Sequence, residues 1–282
     1  MSFSARNVPE RIIAYLCYYS NMVIEAYKNK GETPLDVLKR LKNENPEYLH
    51  VPMTYAGRLD PMAEGLMIVL TGDDCTKKDE YTNLNKQYEV TVLFGFATDT
   101  YDLLGIVERP KKNSEIIAHN RLYYGLRHDE QFQNSFSGLL KNFTGKIDQK
   151  YPPYSSRTVN GKPLFQWARE GRLSEITIPS HEVYISKIEV LEESEISKTK
   201  LKKYIKENIS KIEGDFRQEE ILKSWDEVLK NTEEENFLCV KLRIDCGSGT
   251  YVRVIASELG EVLGTGALAM HIKRTKIGDY SI

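Results

Sequence analysis

Asp60 sits in the segment Tyr55-Ala56-Gly57-Arg58-Leu59-Asp60-Pro61-Met62-Ala63-Glu64-Gly65, which runs straight into the apolar stretch Leu66 to Thr71. Gly57 and Gly65 free the backbone at both ends, and Pro61 keeps Asp60 out of the α region. A carboxylate in so stiff a loop, beside a buried strand, is placed rather than merely solvated, with a turn aspartate as the equally weighted alternative. Tyr88 opens the alternating run Lys86 to Phe96, where its ring either edges a cleft or packs as an ordinary strand tyrosine. The following Asp99 and Asp102 read as turn or capping acids. Cys246-Gly247-Ser248-Gly249-Thr250-Tyr251-Val252-Arg253 passes from strand to helix through glycines whose N–H groups are open to an anion. It carries neither common nucleotide fingerprint nor a P-loop lysine, which argues against a nucleotide cofactor. Arg253, one turn into that helix, is suited to pair with a carboxylate.

Other chemistries find few residues. The histidines His50, His119, His128, His181 and His271 lack HxxxH or HxH spacing. The cysteines Cys17, Cys75, Cys239 and Cys246 form no CxxC pair, so neither a metal site nor a disulfide framework is predicted. No nucleophile-elbow sequence supports a Ser/His/Asp triad. A loop carboxylate, an arginine, a tyrosine and flexible glycines remain.

Those groups need a frame. Asn21 to Tyr27 reads as a short strand, followed by a turn over Lys28 to Gly31. Thr33-Pro34-Leu35-Asp36 has the cap, proline and acid of a helix start, with Leu35, Leu38 and Leu41 as its buried stripe. Leu66 to Thr71 is a strand covered on both faces. Tyr88, Val90, Val92, Phe94 and Phe96 alternate with Glu89, Thr91 and Leu93 as a half-buried strand. Phe136, Leu139, Leu140 and Phe143 keep helical spacing, and Leu238 to Cys246 alternates again. Val252, Ile255, Ala256, Leu259 and Val262-Leu263 form the apolar face of a last helix. This order predicts an α+β domain on one mixed sheet.

The chain has 282 residues with 39 Lys+Arg against 41 Asp+Glu, and its 40% hydrophobic and 28% charged content excludes disordered, collagenous and membrane classes. Ile12 to Tyr19 is too short to span a bilayer, and Glu10 before it suits neither a signal peptide nor an organellar address. The cysteine usage points to a reducing, cytoplasmic compartment. A formal net charge of −2 speaks against a nucleic-acid partner until its distribution is considered. Leu191 to Asn236 holds 13 acids and 9 bases, leaving 30 bases against 28 acids elsewhere. That stretch has weak helical periodicity and reads as a surface insertion with a solvated charged face.

The blocks together resemble one family. Gly57-Arg58-Leu59-Asp60-Pro61-Met62-Ala63-Glu64-Gly65 is similar to the G-x-L-D-P-x-A-x-G signature of the TruB family of pseudouridine synthases. Lys86-Gln87-Tyr88, Thr98-Asp99-Thr100 with Asp102 and Gly105, and Tyr154-Ser155-Ser156 follow in family order. So do Asn160-Gly161-Lys162 through Gly171, Gly249 to Arg253, Leu259-Gly260 and Arg274-Thr275-Lys276. The resemblance implies a pseudouridine synthase fold: a mixed, mostly antiparallel sheet flanked by helices, with a central active-site cleft. It divides the chain into an N-terminal extension (1–20) and a catalytic domain (21–282) interrupted by the charged insertion 191–236, with no C-terminal PUA module.

The implied activity converts uridine to pseudouridine in RNA, foremost at position 55 in the T-loop of tRNA. It would be carried by a cytoplasmic monomer with no cofactor, metal or membrane. The target base must leave the stack to be reached. By resemblance Asp60 is the catalytic carboxylate, attacking the uracil ring or the ribose anomeric carbon. Arg253 pairs with it and keeps it ionised, and Tyr88 stacks on the flipped base. Tyr55, Gly57, Arg58 and Tyr251 complete a closed, water-poor pocket. Lys28, Lys30, Lys86, Arg157, Lys162, Arg169 and Arg274, with Arg172, Lys273 and Lys276, are the expected RNA-binding cations.

Some positions depart from the family. Tyr55 stands where bacterial members have His, Lys28-Asn29 where they have Lys-Pro, and Tyr154 to Thr158 departs from Tyr-Ser-Ala-x-Lys. With the expected lack of a PUA module, these departures leave substrate scope open between tRNA, messenger RNA with a T-loop-like hairpin, and both. One alternative is a catalytically inactive RNA-binding or folding factor, against which the intact Asp60, Tyr88 and Arg253 argue. Another is a carboxylate hydrolase using Glu64 as second acid. Deleting the acidic insertion is expected to leave RNA affinity unchanged or improved.

Overall fold

The computed structural model describes residues 22–108 and 130–282; the expected extension 1–20, Cys17, His119 and His128 lie outside them. In chain order the elements are β1 (Val23–Lys28), α1 (Pro34–Glu44), β2 (Met53–Ala56), β3 (Ala63–Thr71), α2 (Lys78–Asn83) and β4 (Lys86–Phe94). A short pair, β5 (Ala97–Thr98) and β6 (Val107–Glu108), precedes α3 (Glu130–Lys141) and β7 (Gly145–Lys150). Next come the pair β8 (Thr158–Val159) and β9 (Lys162–Pro163), α4 (Leu164–Arg169), and β10 (Ser180–Ser197). The chain continues with α5 (Lys198–Ile209), α6 (Gln218–Lys230), β11 (Asn236–Cys246), α7 (Val252–Leu263), β12 (Ala267–Ile277) and β13 (Tyr280–Ser281).

Seven strands form the sheet path β1-β3-β12-β4-β11-β10-β7, with β2 added on β3 and β13 on β12. Among the described residues the β3–β12 pairing (Ile272↔Ala63 to Arg274↔Gly65) is parallel and every other strand-to-strand pairing of this sheet antiparallel, with one isolated parallel bridge from Asp102 to Ala269 of β12. The predicted mixed, mostly antiparallel sheet with flanking helices is the one observed.

Side-chain alternation sorts the strands onto two covered faces. Val90, Val92, Phe94, Leu242 and Ile244 meet α1, α3 and α7 on one side. Thr33 caps α1 as predicted, its hydroxyl accepting from the Asp36 N–H while Asp36 accepts from the Thr33 N–H. The buried edge of α1 is Val37, with Leu38 and Leu41 packed against the core; Leu35 is 58% exposed. At 100° per residue Leu35 falls well off the centre of the Val37/Leu38/Leu41 stripe and turns to the rim of the central cavity. Val262, at the edge of the α7 face in its last turn, is also exposed.

The opposite face corrects the reading of 191–236. Residues up to Ser197 continue β10, paired with β11 from Val190↔Leu242 to Ser197↔Asn236. From α5 and α6, Leu201, Ile205, Ile209, Ile221, Trp225 and Leu229 are buried against Leu93, Cys239, Leu268 and Met270 of the sheet. Phe96 lies 5.2 Å from the Trp225 ring and 4.8 Å from that of Phe237. Leu93 is therefore a core residue, not an outward one. The charges dominate the composition of this stretch, yet a narrow apolar stripe is enough to roof the sheet. Among the described residues no helix is long and apolar enough to cross a membrane.

Candidate active site

The loop between β2 and β3 carries Asp60, and its backbone carbonyls are tied down one after another. The Gly31 N–H donates to the Pro61 carbonyl (2.9 Å), and the Ala63 N–H to that of Asp60 (3.0 Å). Lys28 donates from Nζ to the carbonyls of Pro61 (3.4 Å) and Ala63 (2.5 Å). Arg274, 1% exposed, donates to Leu66 (2.7 Å), Arg58 (3.2 Å) and Gly57 (3.4 Å). Gly65, at φ +115°, lies so close to β12 that a Cβ there would collide with the Arg274 carbonyl.

Arg253 enters from the first turn of α7. Its Nε donates to Asp60 Oδ2 (2.8 Å), Nη1 to the Thr100 carbonyl (2.7 Å) and Nη2 to the Tyr154 carbonyl (2.9 Å). All three nitrogens of a planar group are thus engaged, which sets its orientation as a lysine could not. The Arg253 side chain is 3% exposed and that of Asp60 39%, so the pair is dry on the arginine side and open on the carboxylate side. The segment leading into α7 is held by Gln149, whose amide accepts from the Tyr251 N–H (2.8 Å) and donates to its carbonyl (3.2 Å).

Asp102 is buried behind the pair. Its Oδ1 accepts from Thr100 Oγ1 (2.8 Å) and the Leu104 N–H (2.9 Å), the turn-capping role expected of it. Burial pushes its carboxyl up to about 6 against the pull of Arg253, and the nearby Asp60 charge adds to the rise. Burial opposes the Arg253 charge, yet Asp60 and Asp102 together hold its pKa above the ordinary value. Tyr88 is buried at the cavity wall, and burial raises its phenol above the usual range. The cavity in front of these groups measures about 790 Å³ and is also lined by Tyr55, Gly57, Arg58 and Tyr251. The structure therefore gathers Asp60, Tyr88, Arg253 and these four residues at one cleft.

The expected RNA-binding cations are divided: Lys86, Arg169 and Arg274 line this cavity, and the others lie away from it. Lys28 is fully buried and burial lowers its ammonium to about 8. Lys86 is buried too, lowered to about 8 by burial and then by Arg274, and donates to the carbonyls of Thr82 and Leu84. With Arg274 these are internal braces, because backbone carbonyls in a loop without a ladder need donors from somewhere. Lys30 donates to the Tyr204 hydroxyl (3.0 Å), docking α5. Lys162 lies 4.0 Å over the Trp167 ring and pairs with Glu170 at 2.6 Å, and Arg169 pairs with Asp215 at 3.3 Å. Arg157 is exposed, 5.1 Å over the Tyr151 ring.

Glu64 faces His271 (2.8 Å) rather than Asp60's cavity, so it is not placed to serve there as the second acid of a hydrolase. No group of three or more potential metal ligands occurs among the described residues. The residues missed from the sequence are the carbonyls of Thr100 and Tyr154, the electrostatic part of Asp102, Gln149, and Arg217 from the acidic stretch. A backbone acceptor leaves no signature in residue type, and Arg217 sits among residues read as solvated.

The profile of the TruB family pseudouridylate synthase N-terminal domain matches residues 50–211. The chain belongs to the TruB family. This TruB-family chain is 28% identical over 264 residues to tRNA pseudouridine synthase B of Lactobacillus acidophilus, covering 93% of this chain and 70% of that protein. It is 29% identical over 262 residues to the Clostridium tetani protein of the same name, covering 93% and 69%. A chain in the crystal structure of a Cbf5–Nop10–Gar1 complex superposes with a TM-score of 0.50 at 17% identity over 96% of the TruB-family chain, which shows the shared fold. That alignment spans 52%, about half, of the other chain.

Proposed function

We propose that this protein isomerises uridine to pseudouridine in tRNA, at the T-loop uridine of the T-arm, as a cytoplasmic monomer. The observation that carries the reading is the Arg253–Asp60 pair at 2.8 Å, dry behind and open to a cavity in front, in a chain of the TruB family. Arg253 takes Asp60 Oδ2 and leaves Oδ1 as the attacking atom. Attack on the ring or on the ribose anomeric carbon leads to cleavage of the N1–C1′ bond. The freed uracil turns, a C5–C1′ bond forms, the bond between Asp60 and the substrate breaks, the C5 proton is lost, and N1 gains a proton. Substrate and product are isomers, so the reaction balances without oxidant, reductant or co-substrate. Tyr88, kept as a phenol by burial, is the stacking surface for the base near its C5 edge. Tyr55, Arg58 and Tyr251 hold the base in place while it turns. The relatives named for tRNA support the substrate, and the family resemblance supports the T-arm position.

Purified protein incubated with an unmodified tRNA transcript, mapped by carbodiimide treatment and reverse-transcription stops, should give one stop at the T-loop uridine. Asp60→Ala should abolish it while tRNA binding persists. Tight binding by wild-type protein without product would instead mark an RNA-binding factor on this scaffold.

A further inference from the structure

Arg217 lies in the turn between α5 and α6, and its backbone takes the left-handed conformation (φ 63°, ψ 30°) that non-glycine residues adopt only under constraint. The turn is built, not draped. Gln218 donates to the carbonyls of Ile212 (3.1 Å) and Gly214 (2.7 Å) and accepts from the Phe216 N–H (2.9 Å), and Arg169 of α4 grips Asp215 from outside.

Two contacts explain why the turn is held this way. Arg217 Nη1 pairs with Asp99 Oδ2 at 2.8 Å, and its guanidinium carbon sits 4.4 Å from the centre of the Tyr154 ring. Asp99 is fixed in turn, its Oδ1 accepting from the Ile106 N–H at 2.8 Å. Burial and then the Asp99 charge push the Tyr154 phenol up to about 12, so it stays a neutral ring beneath the cation. One guanidinium therefore joins two segments that are distant in sequence. They are the segments that aim Arg253: Thr100, next to Asp99, supplies one carbonyl and Tyr154 the other.

We propose that Arg217 is a positioning residue, clamping the Asp99–Thr100 turn to Tyr154 and so fixing both carbonyls that orient Arg253 toward Asp60. The proposal rests on the reading in which Asp60 and Arg253 act together on uridine. It gives the acidic stretch a part in the reaction without any contact to the reacting atoms. A direct phosphate contact is the competing role for a cavity-side arginine, and it predicts a different readout, since phosphate contacts set affinity and its salt dependence.

Arg217→Gly removes the clamp while suiting the left-handed backbone, so folding is preserved. In single-turnover assays with saturating enzyme and a tRNA transcript, Arg217→Gly should slow product formation on the order of tenfold or more, as small misalignments do. The tRNA Kd should stay within about twofold, because no phosphate contact is lost. Asp99→Asn should slow it comparably, the double variant no further than the slower single, and Arg217→Lys should recover part of the rate. Amide exchange over residues 98–106 should quicken in Arg217→Gly. An unchanged rate at saturation, a weakened Kd with full rate, or additive single effects would overturn the clamp. If wild-type protein forms no pseudouridine, the proposed activity fails separately, and unchanged exchange over 98–106 would still overturn the clamp.

Discussion

The ammonium of Lys28 donates to the carbonyls of Pro61 and Ala63, which follow Asp60 in its loop, and feels the Asp60 charge. No solvent reaches it. Sequence alone suggests a phosphate-binding lysine at this position, whereas its partners are the backbone of the loop that presents Asp60. Lys28→Met should cost about 1–3 kcal/mol of stability through unpaired carbonyls. The rate of product formation should fall with it, while the salt dependence of tRNA binding stays as in the wild type. A shallower salt slope would reveal a phosphate contact instead.

Arg253→Lys keeps the charge and loses the fork. A single ammonium cannot serve Asp60, the Thr100 carbonyl and the Tyr154 carbonyl from the positions of Nε, Nη1 and Nη2. Urea denaturation should show a loss of about 1–3 kcal/mol, and single-turnover rates should drop well beyond any change in tRNA affinity. Retention of full rate would show that charge alone suffices.

Asp102 gives a signed pH dependence. Its folded-state carboxyl is raised to about 6 from 3.8, so between those values the folded protein holds a proton that the unfolded chain has released. Stability contributed by this group therefore grows on acidification from pH 6 toward 3.8 and is absent above 6. Comparing unfolding free energies at pH 6 and pH 5, wild type should gain on Asp102→Asn by about 1 kcal/mol. A difference independent of pH would mean the carboxyl is not raised.

The helices of the acidic stretch are structural. Trp225, 1% exposed, fills the space between α6 and the sheet, and Trp225→Ala should cost about 3–5 kcal/mol in chemical denaturation. Removing 198–235 should leave no cooperative unfolding transition at all, which replaces the expectation that deletion would only adjust RNA affinity. A shortened chain that still melted cooperatively would restore the appendage reading.

That Asp60, Tyr88 and Arg253 meet at one cleft is legible because the residues around them constrain backbone: Gly57, Pro61 and Gly65 for the loop, an alternating strand for Tyr88, a strand-to-helix turn for Arg253. The burial of Lys28, Lys86 and Arg274 is not visible in the sequence, for a physical reason. A cation's burial is decided by which strands pair around it, and those pairings join residues that are not neighbours in the chain, as Lys28 and Arg274 each with Gly65. The roof over Leu93 was hidden likewise, since a stripe of six apolar residues is diluted by the charges on the other faces of α5 and α6.

β3 and β4 are neighbours in the chain, yet β12 lies between them in the sheet. As the protein emerges from the ribosome, these two strands must leave a slot that stays empty until residues 267–277 arrive. Arg274 comes with β12, and only then are the carbonyls of Gly57 and Arg58 held. Such late, distant pairing is slow and keeps apolar edges uncovered during synthesis. Until β12 is in place, the chain has Asp60 but no donor for those two carbonyls, so the loop that presents the carboxylate closes among the later steps of folding.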